Sequence, residues 1–230
     1  MTDKHAEAFL YPFLSESKTM EHPAKELLQI AAQIRQLSQN GLVYAADEYN
    51  RERYEELLSL SHRMASLLSA DGVGEERIAA CFHAETDYVT PKVDIRAVVF
   101  NDREEILLVR ERADGRWSLP GGWADVGYSP TEVAVKEVHE ETGYEVRPLR
   151  LLAVHDKKCH AHPPALHYAY KIFIQCECIG GTPAEAFDTL GCGFFAQNAL
   201  PPLSEERVLP EQIDRMFAYF HDSTLAPEID

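Results

Sequence analysis

Gly121-Gly122-Trp123-Ala124-Asp125-Val126-Gly127-Tyr128-Ser129-Pro130-Thr131-Glu132-Val133-Ala134-Val135-Lys136-Glu137-Val138-His139-Glu140-Glu141-Thr142-Gly143 reads as a glycine loop, a helix and a glycine stop. Near the helix end Glu137, Glu140 and Glu141 stand at i, i+3 and i+4, which puts three carboxylates on one face of one turn. Val135 and Val138, at i and i+3, mark the opposite side as the one facing a core. Three anions so close repel one another. A fully solvated face tolerates that, and so does a face that holds a cation. The glycines upstream let backbone approach a ligand closely, and together with the stop at Gly143 they favour the cation. Hard carboxylate oxygens suit Mg²⁺ or Mn²⁺.

The run resembles the signature of the Nudix hydrolases: Gly, five residues, Glu, seven residues, Arg-Glu, an aliphatic, any residue, Glu-Glu, any residue, Gly. Gly122 matches the first glycine, and Glu137-Val138-His139-Glu140-Glu141-Thr142-Gly143 matches the tail. Two positions depart, since Tyr128 stands where the family has Glu and Lys136 where it has Arg. In the family those two brace the loop against the helix. Tyr88–Arg96, Trp117-Ser118-Leu119-Pro120, Phe194-Phe195 and Leu200–Ser204 resemble one subgroup, ADP-ribose pyrophosphatase-like or CDP-choline pyrophosphatase-like, with an extra helical N-terminal domain. The resemblance implies an α+β fold: an α/β/α sandwich with a mixed sheet, preceded by a small helical domain. It implies metal ligands at Gly121, through its carbonyl, and at Glu137, Glu140 and Glu141. It also implies hydrolysis of a nucleoside diphosphate derivative to a nucleoside monophosphate and a phosphorylated product.

The chain has 230 residues and a net charge of −16. That charge argues against duplex nucleic acid as a partner, because phosphate contacts need Lys and Arg. It leaves a nucleotide substrate open, since bound metal reverses the local sign. Five cysteines with no Cys-x-x-Cys pair, no leader-like start and no apolar run long enough to span a membrane predict a reducing cytoplasm.

The organisation reads as an N-terminal arm (1–20), a helical hairpin domain (21–80), a hydrolase domain (81–222) and a C-terminal tail (223–230). Leu27, Ile30, Ile34 and Leu37 make one helical stripe, expected to stop at Asn40-Gly41. Leu57, Leu60, Met64 and Leu67 make a second. A two-helix hairpin cannot bury both stripes alone, so it packs on the next domain or on another chain, and a homodimer is expected. Strands follow at Val93–Phe100, Ile106–Val109, Leu151–Val154 and Tyr168–Cys176. Pro210 opens a last helix.

Metal-assisted hydrolysis needs a base for the attacking water. Glu140 and Glu141 within the motif are candidates, and Asp188 is the candidate outside it, against the alternative of an ordinary loop acid. Arg96 and Arg110, on or at the end of strands, suit phosphate through their planar forks; surface ion pairing is the competing reading. Trp117 either stacks on a base or fills the core. The run from His155 to Pro164, followed by His167, offers histidines for zinc, but the spacing fits no common zinc pattern; a loop bordering the pocket explains it better, and plain surface better still. Two other functions compete with hydrolysis: a non-catalytic regulatory module binding nucleotide sugars, and a chiefly structural dimer.

Overall fold

The computed structural model describes residues 22–69, 74–80, 88–163, 165, 168–184, 186–187 and 189–230. The expected arm at 1–20 lies outside them. The chain divides into two compact units, 1–90 with 164–168, and 91–163 with 169–230.

The first unit carries α1 (His22–Tyr44), α2 (Glu48–Leu68) and the short α3 (Glu75–Ala80). Asp47 caps α2, its carboxylate accepting from the Asn50 amide at 2.8 Å. The stop expected at Asn40-Gly41 does not occur, and α1 runs on to Tyr44. Asn40 instead accepts from the Val89 amide through its side chain at 2.6 Å. Gly41 lies against the Tyr54 ring, where a Cβ would come within 2.4 Å. The glycine serves close helix packing, not termination. Leu28, Ala31 and Arg35 of α1 and Ser61 and Ala65 of α2 are buried.

The second unit is an eight-stranded mixed sheet, counted among the described residues. Its strands are β1 (Lys92–Phe100), β2 (Ile106–Glu111), β3 (Trp117–Ser118), β4 (Gly121–Trp123), β5 (Tyr144–Asp156), β6 (Ala169–Gly181), β7 (Thr189–Phe195) and β8 (Glu228–Ile229). The order is β3-β2-β1-β6-β5-β8, with β4 paired to β1 and β7 to β2. β1 pairs parallel with β6, and β5 antiparallel with it. Within 223–230, expected as a tail, β8 adds parallel to β5.

Strand alternation sorts the core into two layers. Ile95, Ala97, Val99, Leu107 and Ile174 pack with Val133, Ala134 and Val138 of α4 (Pro130–Thr142). Val135 is only partly buried against the same layer. Val98, Ile106, Leu108 and Phe173 face the other way, onto Ile213, Met216 and Phe217 of α5 (Pro210–His221). A helix on each face of a mixed sheet is the expected sandwich.

Candidate active site

Three local devices set the rotation of α4. Ser129 and Glu132 form a reciprocal capping box, Pro130 occupies the first turn, and Gly143, left-handed at φ 78°, ends the helix. With Val133, Ala134 and Val138 turned into the sheet, Glu137 and Glu141 fall on the margin of the buried face, 6% and 8% exposed. Glu140 points outward.

The buried pair lies on the glycines. The Gly121 amide donates to Glu141 Oε2 at 2.9 Å. A Cβ on Gly122 would stand 3.3 Å from the Glu137 carboxyl. Gly121 pairs across the sheet with Arg96, and a Cβ there would come 1.9 Å from the Ile95 carbonyl oxygen, so that strand contact admits only glycine. Lys136 is the counter-ion, with Nζ 3.1 Å from Glu137, 3.4 Å from Glu140 and 3.8 Å from Asp125. Its ammonium also stands 5.9 Å from the centre of the Tyr128 ring. The two positions that depart from the family pattern are therefore still neighbours.

Nearby stands a group of buried charges of which sequence reading singled out only Arg96. Glu111, at the end of β2, accepts from Ser118 Oγ at 2.5 Å and pairs with Arg207 at 3.1 Å. Burial pushes the Glu141 carboxyl well above its ordinary pKa, and the charges of Glu111 and Glu137 push it further. Arg96 donates through Nε to Asp94 at 2.9 Å and through Nη1 to the Leu119 carbonyl at 3.1 Å. Burial works against its charge, but Asp94 foremost, then Glu111 and Glu141, hold the guanidinium firmly protonated. Lys171 takes the other oxygen of Asp94. Strand parity put Asp94 on the face of Arg96; nothing in the sequence signalled Glu111, Lys171 or Arg207.

Among the described residues no three His, Cys, Asp or Glu side chains converge closely enough to enclose an ion in this conformation. The donor chemistry nevertheless fits a hard divalent cation. Two carboxylates are held in a desolvated, mutually repelling arrangement beside strand backbone, with a lysine paired to one of them, Glu137.

The other expected residues are committed elsewhere or lie beyond description. Arg110 is exposed and donates to the Gly115 carbonyl at 2.8 Å, bracing the β2–β3 turn. Trp117 packs edge-on to Phe195 at 4.7 Å, and its backbone is bonded to Pro202 and Ser204. Asp188 lies outside the described residues, as does His167. His155 is stacked on His160 at 4.1 Å, His160 bonds Asp230 at 2.9 Å, and His162 Nδ1 lies 2.6 Å from the Glu205 carbonyl.

Residues 90–206 match the NUDIX domain, and residues 25–82 match a UDP-X-like, N-terminal oligomerisation domain. YjhB of Bacillus subtilis (strain 168), provisionally named an ADP-ribose pyrophosphatase, is 44% identical over 84% of this chain and 91% of its own length. A crystal structure of a UDP-X diphosphatase is 33% identical, covering 90% of this chain and 99% of that one, with a TM-score of 0.57. That of an ADP-ribose pyrophosphatase from Streptococcus suis 89-1591 is 38% identical, covering 61% and 100%, with a TM-score of 0.56.

Proposed function

The chain belongs to the Nudix hydrolases, and on that premise we propose that it cleaves a nucleoside diphosphate joined to a second group, releasing a nucleoside monophosphate and a phosphorylated product. It is a pyrophosphohydrolase. ADP-ribose, CDP-choline and UDP-linked compounds are the substrates to try, the first and last because similar proteins carry those names. The observation that most supports this reading is the buried pair Glu137–Glu141 laid on Gly121–Gly122, with the Arg96 guanidinium within electrostatic reach of Glu141.

Glu137, Glu141 and the Gly121 carbonyl would hold Mg²⁺ or Mn²⁺, with Glu140 at the rim. Such an ion, when bound, neutralises phosphate charge and lowers the pKa of water. The chain's own residues do the remaining work. Arg96 has N–H groups beyond those given to Asp94 and Leu119, and presents them to phosphoryl oxygens. Glu140, the outward-facing carboxylate of the three, accepts the proton of the attacking water. Lys136 gives up its carboxylates to the ion and keeps its charge beside the substrate. A homodimer built on the helical unit completes the reading.

Turnover of the three substrate classes with Mg²⁺ or Mn²⁺, products separated by chromatography, tests it. Glu141→Gln should lower kcat by at least about 100-fold with the melting temperature retained. Metal-independent turnover, or turnover indifferent to that substitution, removes the site. Tight binding without any product would turn the reading to a regulatory module.

A further inference from the structure

Asp94 and Lys171 stand in direct register across the parallel pair β1–β6. Arg96 is two residues along β1, so all three charged side chains leave the same face of the sheet. All are buried, Lys171 to 2%, Asp94 to 3% and Arg96 to 6% exposure. Asp94 gives Oδ1 to Arg96, with Nε and Nη2 each at 2.9 Å, and Oδ2 to the Lys171 ammonium. Arg96 Nη1 then reaches the Leu119 carbonyl at 3.1 Å. One residue on, the Pro120 carbonyl accepts from Ala97 at 2.8 Å, and the next amide, Gly121, holds Glu141. An unbroken line of contacts leads from Lys171 to the backbone on which the buried glutamates lie.

A structural ion pair does not call for the third charge. Asp94 and Arg96 are already neutral together and matched in shape. Adding a buried lysine leaves the three with a surplus positive charge and a desolvation cost that methionine or leucine would avoid. That cost is visible in Lys171 itself, whose pKa burial drags down to about 7 although Asp94 opposes it. What the lysine does is occupy Oδ2. With Oδ2 taken, only Oδ1 remains for Arg96, and the fork is turned so that Nη1 meets Leu119. With Oδ2 released, the carboxylate would be free to rotate and accept both guanidinium edges, drawing Arg96 away from Leu119.

We infer that Lys171 is a positioning residue of this site: through Asp94 it fixes the Arg96 guanidinium, and through Arg96 it fixes the Leu119–Gly121 segment. The inference rests on the proposed contact of Arg96 with substrate phosphate.

A double-mutant cycle tests it on the full chain. Lys171→Met, Arg96→Met and the double variant are compared by calorimetric Kd for α,β-methylene-ADP, by KM and kcat on the best substrate, and by melting temperature. Lys171→Met should weaken the analogue and raise KM by roughly tenfold, kcat falling by less than KM rises, and should add nothing once Arg96 is gone. Unchanged affinity in Lys171→Met, or losses that multiply in the double variant, overturns the inference. Should Lys171→Met fail to fold, Asp94→Asn must show the same loss and the same coupling to Arg96, and its absence is equally decisive. A wild-type chain that neither binds the analogue nor turns over any substrate overturns the phosphate contact, and the role of Lys171 falls with it. An active wild type with an insensitive Lys171→Met overturns the role of Lys171 alone.

Discussion

Single residues of the second unit are titratable where packing alone would have them apolar, and each such choice has a consequence in pH. His162 is 2% exposed, with Nδ1 2.6 Å from the Glu205 carbonyl. Burial lowers its pKa to about 3, and the nearby charges of Lys171, Lys157 and His160 work in the same direction. The unfolded chain therefore binds a proton near pH 6.5 that the folded chain refuses. The stability that neutral His162 contributes is complete above that pH and is lost as pH falls toward 3. At pH 5 the loss relative to pH 8 should be about 2 kcal/mol. Denaturant melts of wild type and His162→Gln across this window read it, and parallel pH dependence in the two proteins would refute it. Asp94 works in the same direction. Burial would raise its pKa, but Arg96 and Lys171 together overcome that and hold it down to about 2, so its contribution is complete above its ordinary pKa and is lost only in stronger acid.

At the scale of elements, local chemistry decided which were legible. α4 was legible as a helix ending at Gly143, because that glycine closes a run of helical spacing; its start, capped by Ser129 and Pro130, emerged only in the fold. β1, β2, β6 and α5 were found as well, since their apolar patterns are long. β3, β4 and β8 are two or three residues each, and β7 contains two glycines, so no periodicity announces them. The partnership of Asp94 with Lys171 joins residues 77 apart, and only the strand register reveals it. Gly41 was misread because one residue type serves two ends: it can stop a helix or admit a neighbour. The second reading makes a prediction. Gly41→Leu gains helix propensity but drives side chain into the Tyr54 ring, and should destabilise the chain by about 1–3 kcal/mol. Adding Tyr54→Ala, which clears the space, should return part of that loss. Strictly additive effects in thermal melts would mean that the two helices do not meet at this point.

Across the whole molecule, the apolar stripes that identified the helical unit are the faces it leaves uncovered. Leu37 and Leu67 are 71% and 78% exposed, and Leu27, Ile30, Leu57 and Leu60 join them, while Ala31, Ser61 and Ala65 take the buried positions. A chain with net charge −16 keeps itself apart from other molecules by repulsion, so a stripe of leucines in its first unit marks a surface meant to be covered. Residues 25–82, which carry both stripes, match an oligomerisation domain, and a second copy of the same unit offers the same stripes in return. Self-complementary faces of this kind close about a two-fold axis. Sedimentation equilibrium should accordingly give a dimer. Leu37→Glu combined with Leu67→Glu should shift it to monomer at micromolar concentration, because each new carboxylate must be desolvated against apolar surface. Turnover per chain in that variant separates two roles for the dimer. Retained kcat and KM would leave the second copy as a cover for the stripes, whereas a raised KM with kcat intact would mean that pairing also shapes where the substrate binds. A wild-type chain that sediments as a monomer would leave both stripes bare, and the assignment of this unit to self-association would have to be given up.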